Sequence, residues 1–140
     1  VSCAGDATFA PLSDLTQDSF MLGLSQKVMG QINLVIAGLD ILPSGGSFTL
    51  TSGVLDRDPI KLGVNAATAN GALAGFVKSA AIEMPRGIRV NVVSPGLLEI
   101  SEPKYGQWFH GHKPVSSIDV GRAYAKSVEG ALTGQVIIVA

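Results

Sequence analysis

Four short runs rich in β-branched and apolar residues alternate with segments of helical period, and this alternation constrains the fold more than any other feature. The runs span residues 1–4, 47–52, 88–93 and 135–139. Gly5 stops the first, and Pro95-Gly96 follows the third. Turn residues Pro43-Ser-Gly-Gly46 and Thr133-Gly134 lead into the second and fourth. Helical stretches over residues 16–42, 65–84 and 119–129 lie between them. Nearly continuous apolar strands separated by helices belong to a parallel sheet covered on both faces. The expectation is one doubly wound α/β domain.

Composition sharpens this. The chain has 140 residues, 46% apolar and 15% charged, against about 25% charged in ordinary soluble proteins. Apolar surface is too plentiful for disorder. A single Cys excludes a disulfide scaffold and fits a reducing compartment, so the cytoplasm is expected. A net charge of −1 offers no footprint for nucleic acid, and no such partner is expected. The most apolar stretch, residues 32–42, is interrupted by Asn33, Gly38 and Asp40. A membrane span needs about 20 apolar residues, and no basic leader precedes an apolar core, so no membrane association is expected. The chain begins on Val1 and ends on Val-Ile-Ile-Val-Ala140. Both ends read as buried strand, which predicts that residues 1–140 form a single domain incomplete at its N-terminus.

Thr16 suits a helix N-cap, with Asp18 in the first turn where the dipole favours an anion. From there to Leu42 apolar residues cover most of the circumference, which predicts a helix buried on both sides, with Gly23 as a break point. The stretch over residues 65–84 carries Ala67, Gly71, Ala74 and Gly75, small enough for another backbone to approach. A second apolar face needs a second partner, and a homodimer or homotetramer is expected. Residues 97–114 read as irregular and hold the aromatics Tyr105, Trp108 and Phe109.

Five segments carry a family resemblance. Gly-Ile-Arg-Val-Asn-Val-Val-Ser-Pro-Gly, residues 87–96, resembles the sixth strand and following turn of the short-chain dehydrogenase/reductase family. Residues 70–84 resemble that family's active-site helix, residues 46–52 its fifth strand and residues 132–139 its last. Ser2-Cys-Ala-Gly5 stands where the family has Asn-Asn-Ala-Gly. The resemblance covers the whole chain in order. It implies a Rossmann-like fold, an NAD(P) cofactor, and hydride transfer to or from a small carbonyl or alcohol substrate.

Two departures matter. The family's Gly-rich turn, which holds pyrophosphate at a helix N-terminus, has no counterpart here. The family's catalytic Ser, Tyr thirteen residues on and Lys four beyond that fall at Gly53, Ala66 and Asn70. Strand and helix registers agree on Gly53. The family's helical Asn maps to Lys27. The resemblance thus implies a site without the usual proton relay and with no assigned catalytic residue. Asn70 could still bond ribose hydroxyls, since an amide both donates and accepts. By resemblance Ala4, Gly5, Pro95, Gly96 and Leu98 contact the cofactor through backbone or packing.

Other residues have two readings each. Lys27 either reaches the vacated pocket or snorkels to solvent. Thr51, Ser52 and Thr68 either polarise a substrate carbonyl or satisfy backbone groups. Asp56, Arg57, Asp58 and Lys61 either supply substitute acid–base groups or form a solvated loop. The aromatics of residues 97–114 either line a substrate pocket or anchor their loop. His110 and His112, without further ligands at metal spacing, predict no metal site. Cys3 is expected to be buried and inert. Three roles stay open: an oxidoreductase with an altered site, a non-catalytic dinucleotide binder or sensor, and a structural or assembly protein needing no ligand.

Overall fold

In the computed structural model, which describes residues 1–140, three parallel strands form the sheet. They are β1 (Ser47–Thr51), β2 (Arg89–Pro95) and β3 (Val136–Val139), adjacent in that order. Ser47 pairs with Arg89 and Val92 with Val136, fixing both registers. The helices are α1 (Gln17–Gly23), α2 (Gly30–Gly38), α3 (Val64–Glu83), α4 (Glu102–Tyr105) and α5 (Ser117–Glu129). A π-turn over Leu24–Met29 joins α1 to α2. None of these helices is long and apolar enough to cross a membrane.

Strand side chains alternate between faces, and the two faces are built differently. One presents Phe48, Leu50, Val90 and Val92 to Val28, Val35, Leu73 and Val77 of the helices. Leu50, Leu73, Val77, Val90 and Val92 are fully buried. Each such side chain contributes roughly 1.5–3 kcal/mol by leaving water. The other face is polar and meets α5. Thr49 Oγ1 lies 2.7 Å from Ser127 Oγ, and Thr51 Oγ1 lies 2.6 Å from the Tyr124 hydroxyl. Arg89 donates to the carbonyls of Ser127 at 2.6 Å and Val128 at 2.8 Å, satisfying groups the end of α5 leaves open. Buried Asn91 donates to Leu132 O at 2.8 Å and accepts from the Gln135 N–H at 3.1 Å, which aligns the start of β3.

Three sequence expectations change. Residues 1–4 are not a regular strand: a Ser2 N–H to Thr49 O bond of 2.9 Å lays the segment beside β1, without a continuous ladder. The helical path from Thr16 ends at Gly38 rather than Leu42. A Cβ on Gly38 would lie 2.8 Å from the Phe48 ring, so the helix meets the sheet there. Arg86 then donates to the carbonyls of Leu39 and Leu42 and holds the following turn. Finally, within the single chain only one side of this helical path is covered. It buries Val28, Gln31 and Val35 while Met21, Met29, Leu34 and Ile36 stay exposed. Thr16 does cap α1, accepting from Ser19 N–H at 3.2 Å in a reciprocal capping box.

Candidate active site

A cavity of about 490 Å³ opens beyond the carboxyl ends of β1 and β2. Open α/β sheets bind ligands at this edge, where successive loops diverge. The volume lies in the usual range for small-molecule sites, about 300–1,000 Å³. Its walls differ in chemistry. Leu55, Ile60, Tyr105, Trp108 and Phe109 make an apolar, aromatic side. Lys27, Ser52, Gly53, Ala66 and Asn70 make a side with polar groups.

The π-turn places Lys27. Such turns insert a residue into an α-helix and swing side chains off the regular face. Gln31, fully buried in α2, fixes this one to the sheet. Its Nε2 donates to Thr51 O at 2.9 Å and to Lys27 O at 3.1 Å. Its Oε1 accepts from Thr51 N–H at 2.8 Å. One amide therefore pairs both backbone groups of Thr51 as a neighbouring strand would, and anchors the backbone of Lys27 to the end of β1. On the other side Gly5, with φ of +128°, lies so close that a Cβ there would be 2.5 Å from Lys27 Cα. Only glycine combines that backbone angle with that approach.

Lys27 Nζ points inward and donates to Ser52 O at 3.4 Å. Burial holds its ammonium below the ordinary lysine range, and the negative charge of Asp6 partly offsets this. Beside it, Ser52 Oγ and Asn70 Oδ1 are the two buried side-chain polar atoms without a hydrogen-bond partner. Such atoms cost free energy unless something pairs with them. Asn70 is 2% exposed and Ser52 4%. A Cβ on Gly53 would sit 3.1 Å from Asn70 Nδ2, so the Asn70 amide fills the space beside that glycine.

The structure gathers most, but not all, of the residues singled out in the sequence. Gly53, Ala66, Asn70, Lys27, Pro95, Gly96 and Leu98 all line the cavity. Ala4 and Gly5 do not, and Asp6 lines it instead. Of the three hydroxyl candidates only Ser52 is open. Thr51 Oγ1 donates to Ser2 O at 2.6 Å, and Thr68 Oγ1 donates to Val64 O at 2.9 Å. Asp56 pairs with Arg57 at 3.0 Å, and Arg57 donates to Ser94 Oγ at 2.7 Å. Asp56, Arg57 and Asp58 stay out of the cavity wall, whereas Lys61 joins it. The aromatics Tyr105, Trp108 and Phe109 line the cavity. His112 Nδ1 lies 3.4 Å from Asp58 Oδ2.

Cys3 is exposed rather than buried, with Sγ 3.4 Å from the Tyr124 hydroxyl, because the first segment does not continue as a covered strand. Sequence reading missed Asp6 and Gln31. The signal for Gln31 was present: a polar side chain four residues from Lys27, amid apolar neighbours.

Comparison with known proteins agrees with this geometry. A family model described as enoyl-(acyl carrier protein) reductase matches residues 1–113. The crystal structure of the protein lin1944 from Listeria innocua is 52% identical over 99% of this chain and 70% of its own, with a TM-score of 0.97. A small-chain dehydrogenase is 30% identical over 98% of this chain and 65% of its own, with a TM-score of 0.81. Another, solved in complex with NADPH, is 28% identical over 99% of this chain and 69% of its own, with a TM-score of 0.85. The chain thus spans 65% to 70% of the length of these relatives. No curated protein matches it. With its parallel sheet, its cavity at the strand ends and these likenesses, the chain belongs to the short-chain dehydrogenase family.

Proposed function

We propose that the protein binds NAD(P)(H) and acts as an oxidoreductase on a small carbonyl or alcohol, through a site altered from the family pattern. The observation that carries this is the pair of unpartnered polar atoms, Ser52 Oγ and Asn70 Oδ1, in a largely apolar cavity at the strand ends. The relative solved with NADPH supports the cofactor class. The residues present fit such a group. Asn70 Oδ1, buried and without a donor, accepts from a ribose hydroxyl. The backbone of Pro95, Gly96 and Leu98 borders the same space. When bound, the dinucleotide supplies or accepts the hydride. Ser52 Oγ, free of other partners, donates to the carbonyl oxygen and stabilises the charge that develops on it. Gly53, Ala66 and Asn70 hold no ionisable group, so none of them is the proton source.

That last observation favours a second reading, a dinucleotide binder or sensor without turnover. Titration with NADH and NADPH, followed by a panel of aldehydes and ketones, separates the readings. Binding with turnover supports the first, and binding without turnover supports the second. Failure to bind either nucleotide overturns both and leaves a structural or assembly role.

A homodimer or homotetramer is part of the proposal. Its support is the exposed Met21, Met29 and Ile36 on one helical path, with Ile82 and the exposed Gly71 and Gly75 on α3. Light scattering that finds a monomer at micromolar concentration would overturn it. The lone Cys supports the cytoplasm as compartment.

A further inference from the structure

We propose that the ligand of this cavity carries a carboxylate next to its reacting carbonyl or hydroxyl, on an apolar or aromatic body, and that Lys27 is the carboxylate's partner. The proposal names the substrate class for the reading above and rests on it for the placement of the dinucleotide.

Lys27 does not behave as a lysine on its way to solvent. Its backbone is pinned by Gln31, and its Nζ turns inward to Ser52 O. No carboxylate lies within ion-pairing distance of it: the ion pairs of the chain are Arg57–Asp56, His112–Asp58 and Arg122–Asp119. The anion whose charge acts on it is Asp6, whose carboxylate accepts from the Ala7 N–H at 2.8 Å. A half-buried cation without a paired anion bears a desolvation cost that an incoming anion offsets. The charged groups lining the cavity are Lys27, Lys61 and Asp6, which sum to one positive charge.

The neighbouring atoms narrow the class further. The Lys27 ammonium bonds the carbonyl of Ser52, and the free Oγ belongs to that same residue. Both groups line one cavity, so a ligand with a carboxylate on Nζ and an oxygen on the adjacent carbon addresses both together. The aromatic wall of Tyr105, Trp108 and Phe109 takes the apolar remainder. A phosphate suits the site less well, since it brings up to two charges and no arginine lines the wall.

The test uses two probes of equal shape and different charge, 3-phenylpropanoate and 3-phenylpropanamide. Emission from Trp108, the only tryptophan, reports their binding, and calorimetry checks it. The wild-type protein is expected to bind the acid at least ten-fold more tightly than the amide. Lys27→Met and Lys27→Gln should lower acid affinity to the amide's level and leave amide affinity unchanged, while Lys27→Arg keeps the preference. Circular dichroism confirms that each variant is folded. Equal binding of acid and amide by the wild type, an acid preference that survives both neutral variants, or no acid binding at millimolar concentration overturns the proposal. Nucleotide titration without probe is run separately. If the acid preference holds and no nucleotide binds, the functional reading fails and the assignment of Lys27 stands.

Discussion

The two halves of α3 face the same sheet under opposite rules. From its midpoint on, Leu73 and Val77 are fully buried against Leu50, Val90 and Val92, and nothing polar is left open there. One and two turns earlier, Asn70 and Ala66 are also buried, yet they face a cavity, and the Asn70 oxygen has no partner. β1 repeats the pattern, with Leu50 sealed in the core and Ser52 Oγ open two residues later. Rigid apolar packing at one end holds groups at the other in positions that are costly until a ligand arrives. Stability and binding are thereby assigned to different ends of the same two elements.

The sharpest way to break that division is at the packed end. Leu73→Ala should cost about 2–5 kcal/mol by lost burial and a residual cavity. Urea unfolding measures this, and nucleotide affinity per folded molecule should be unchanged. A shift in affinity would mean that the two ends are coupled.

Gln31 joins the ends, so its replacement should affect both. Gln31→Leu keeps the volume but removes the bonds to Thr51 N–H, Thr51 O and Lys27 O. Unpaired buried backbone groups make the expected cost about 2–3 kcal/mol. The Lys27 contact should loosen with it, so the preference for acid over amide should also fall.

At the open end the sign reverses. Asn70→Leu removes a buried unpartnered amide and should raise stability by about 1 kcal/mol or leave it unchanged. Nucleotide affinity should fall at least ten-fold. A destabilised variant with intact affinity would show that Asn70 belongs to the packing rather than to the site.

The smallest effect is the pH dependence from Lys27. Burial lowers its folded pKa below the unfolded value, so in that window the unfolded chain binds more protons than the folded one. Stability from this group therefore rises with pH, from the folded pKa up towards the ordinary lysine value, as the buried charge is relieved. Thermal melts between neutral and alkaline pH should show this rise in the wild type and its loss in Lys27→Met. Parallel melting curves would mean that the ammonium is better solvated than its burial implies.

Much of the scaffold is legible in the sequence, and the reasons are local. β1, β2, β3, α3 and α5 fall within two residues of their expected bounds, because apolar runs there are cut by Gly, Pro or a capping Ser. The first segment fails as a strand because a strand is defined by a partner, and residues 1–4 share a single backbone bond with β1. The helix end at Gly38 is set by the Phe48 ring and by Arg86, both distant in the chain. In the site, Asn70, Pro95, Gly96 and Leu98 could be found by resemblance. Asp6 could not, since its place on the wall depends on the path of the loop after Gly5.

The sequence by itself determined the succession β1, α3, β2, α5 and β3, the family, and the identity of the side chains at positions 27, 53, 66 and 70. Those follow from periodicity, turn residues and motif spacing, which are properties of the chain in order. The tertiary structure decided which polar groups are satisfied. Thr51 and Ser52 are adjacent hydroxyls of similar chemistry, and nothing local separates them. Thr51 is taken up by Ser2 and Tyr124, and Ser52 is left facing the cavity. Hydrogen-bond satisfaction depends on groups brought together from far apart, as with Lys27, whose side chain reaches Ser52 only because a π-turn and the Gln31 amide carry it there.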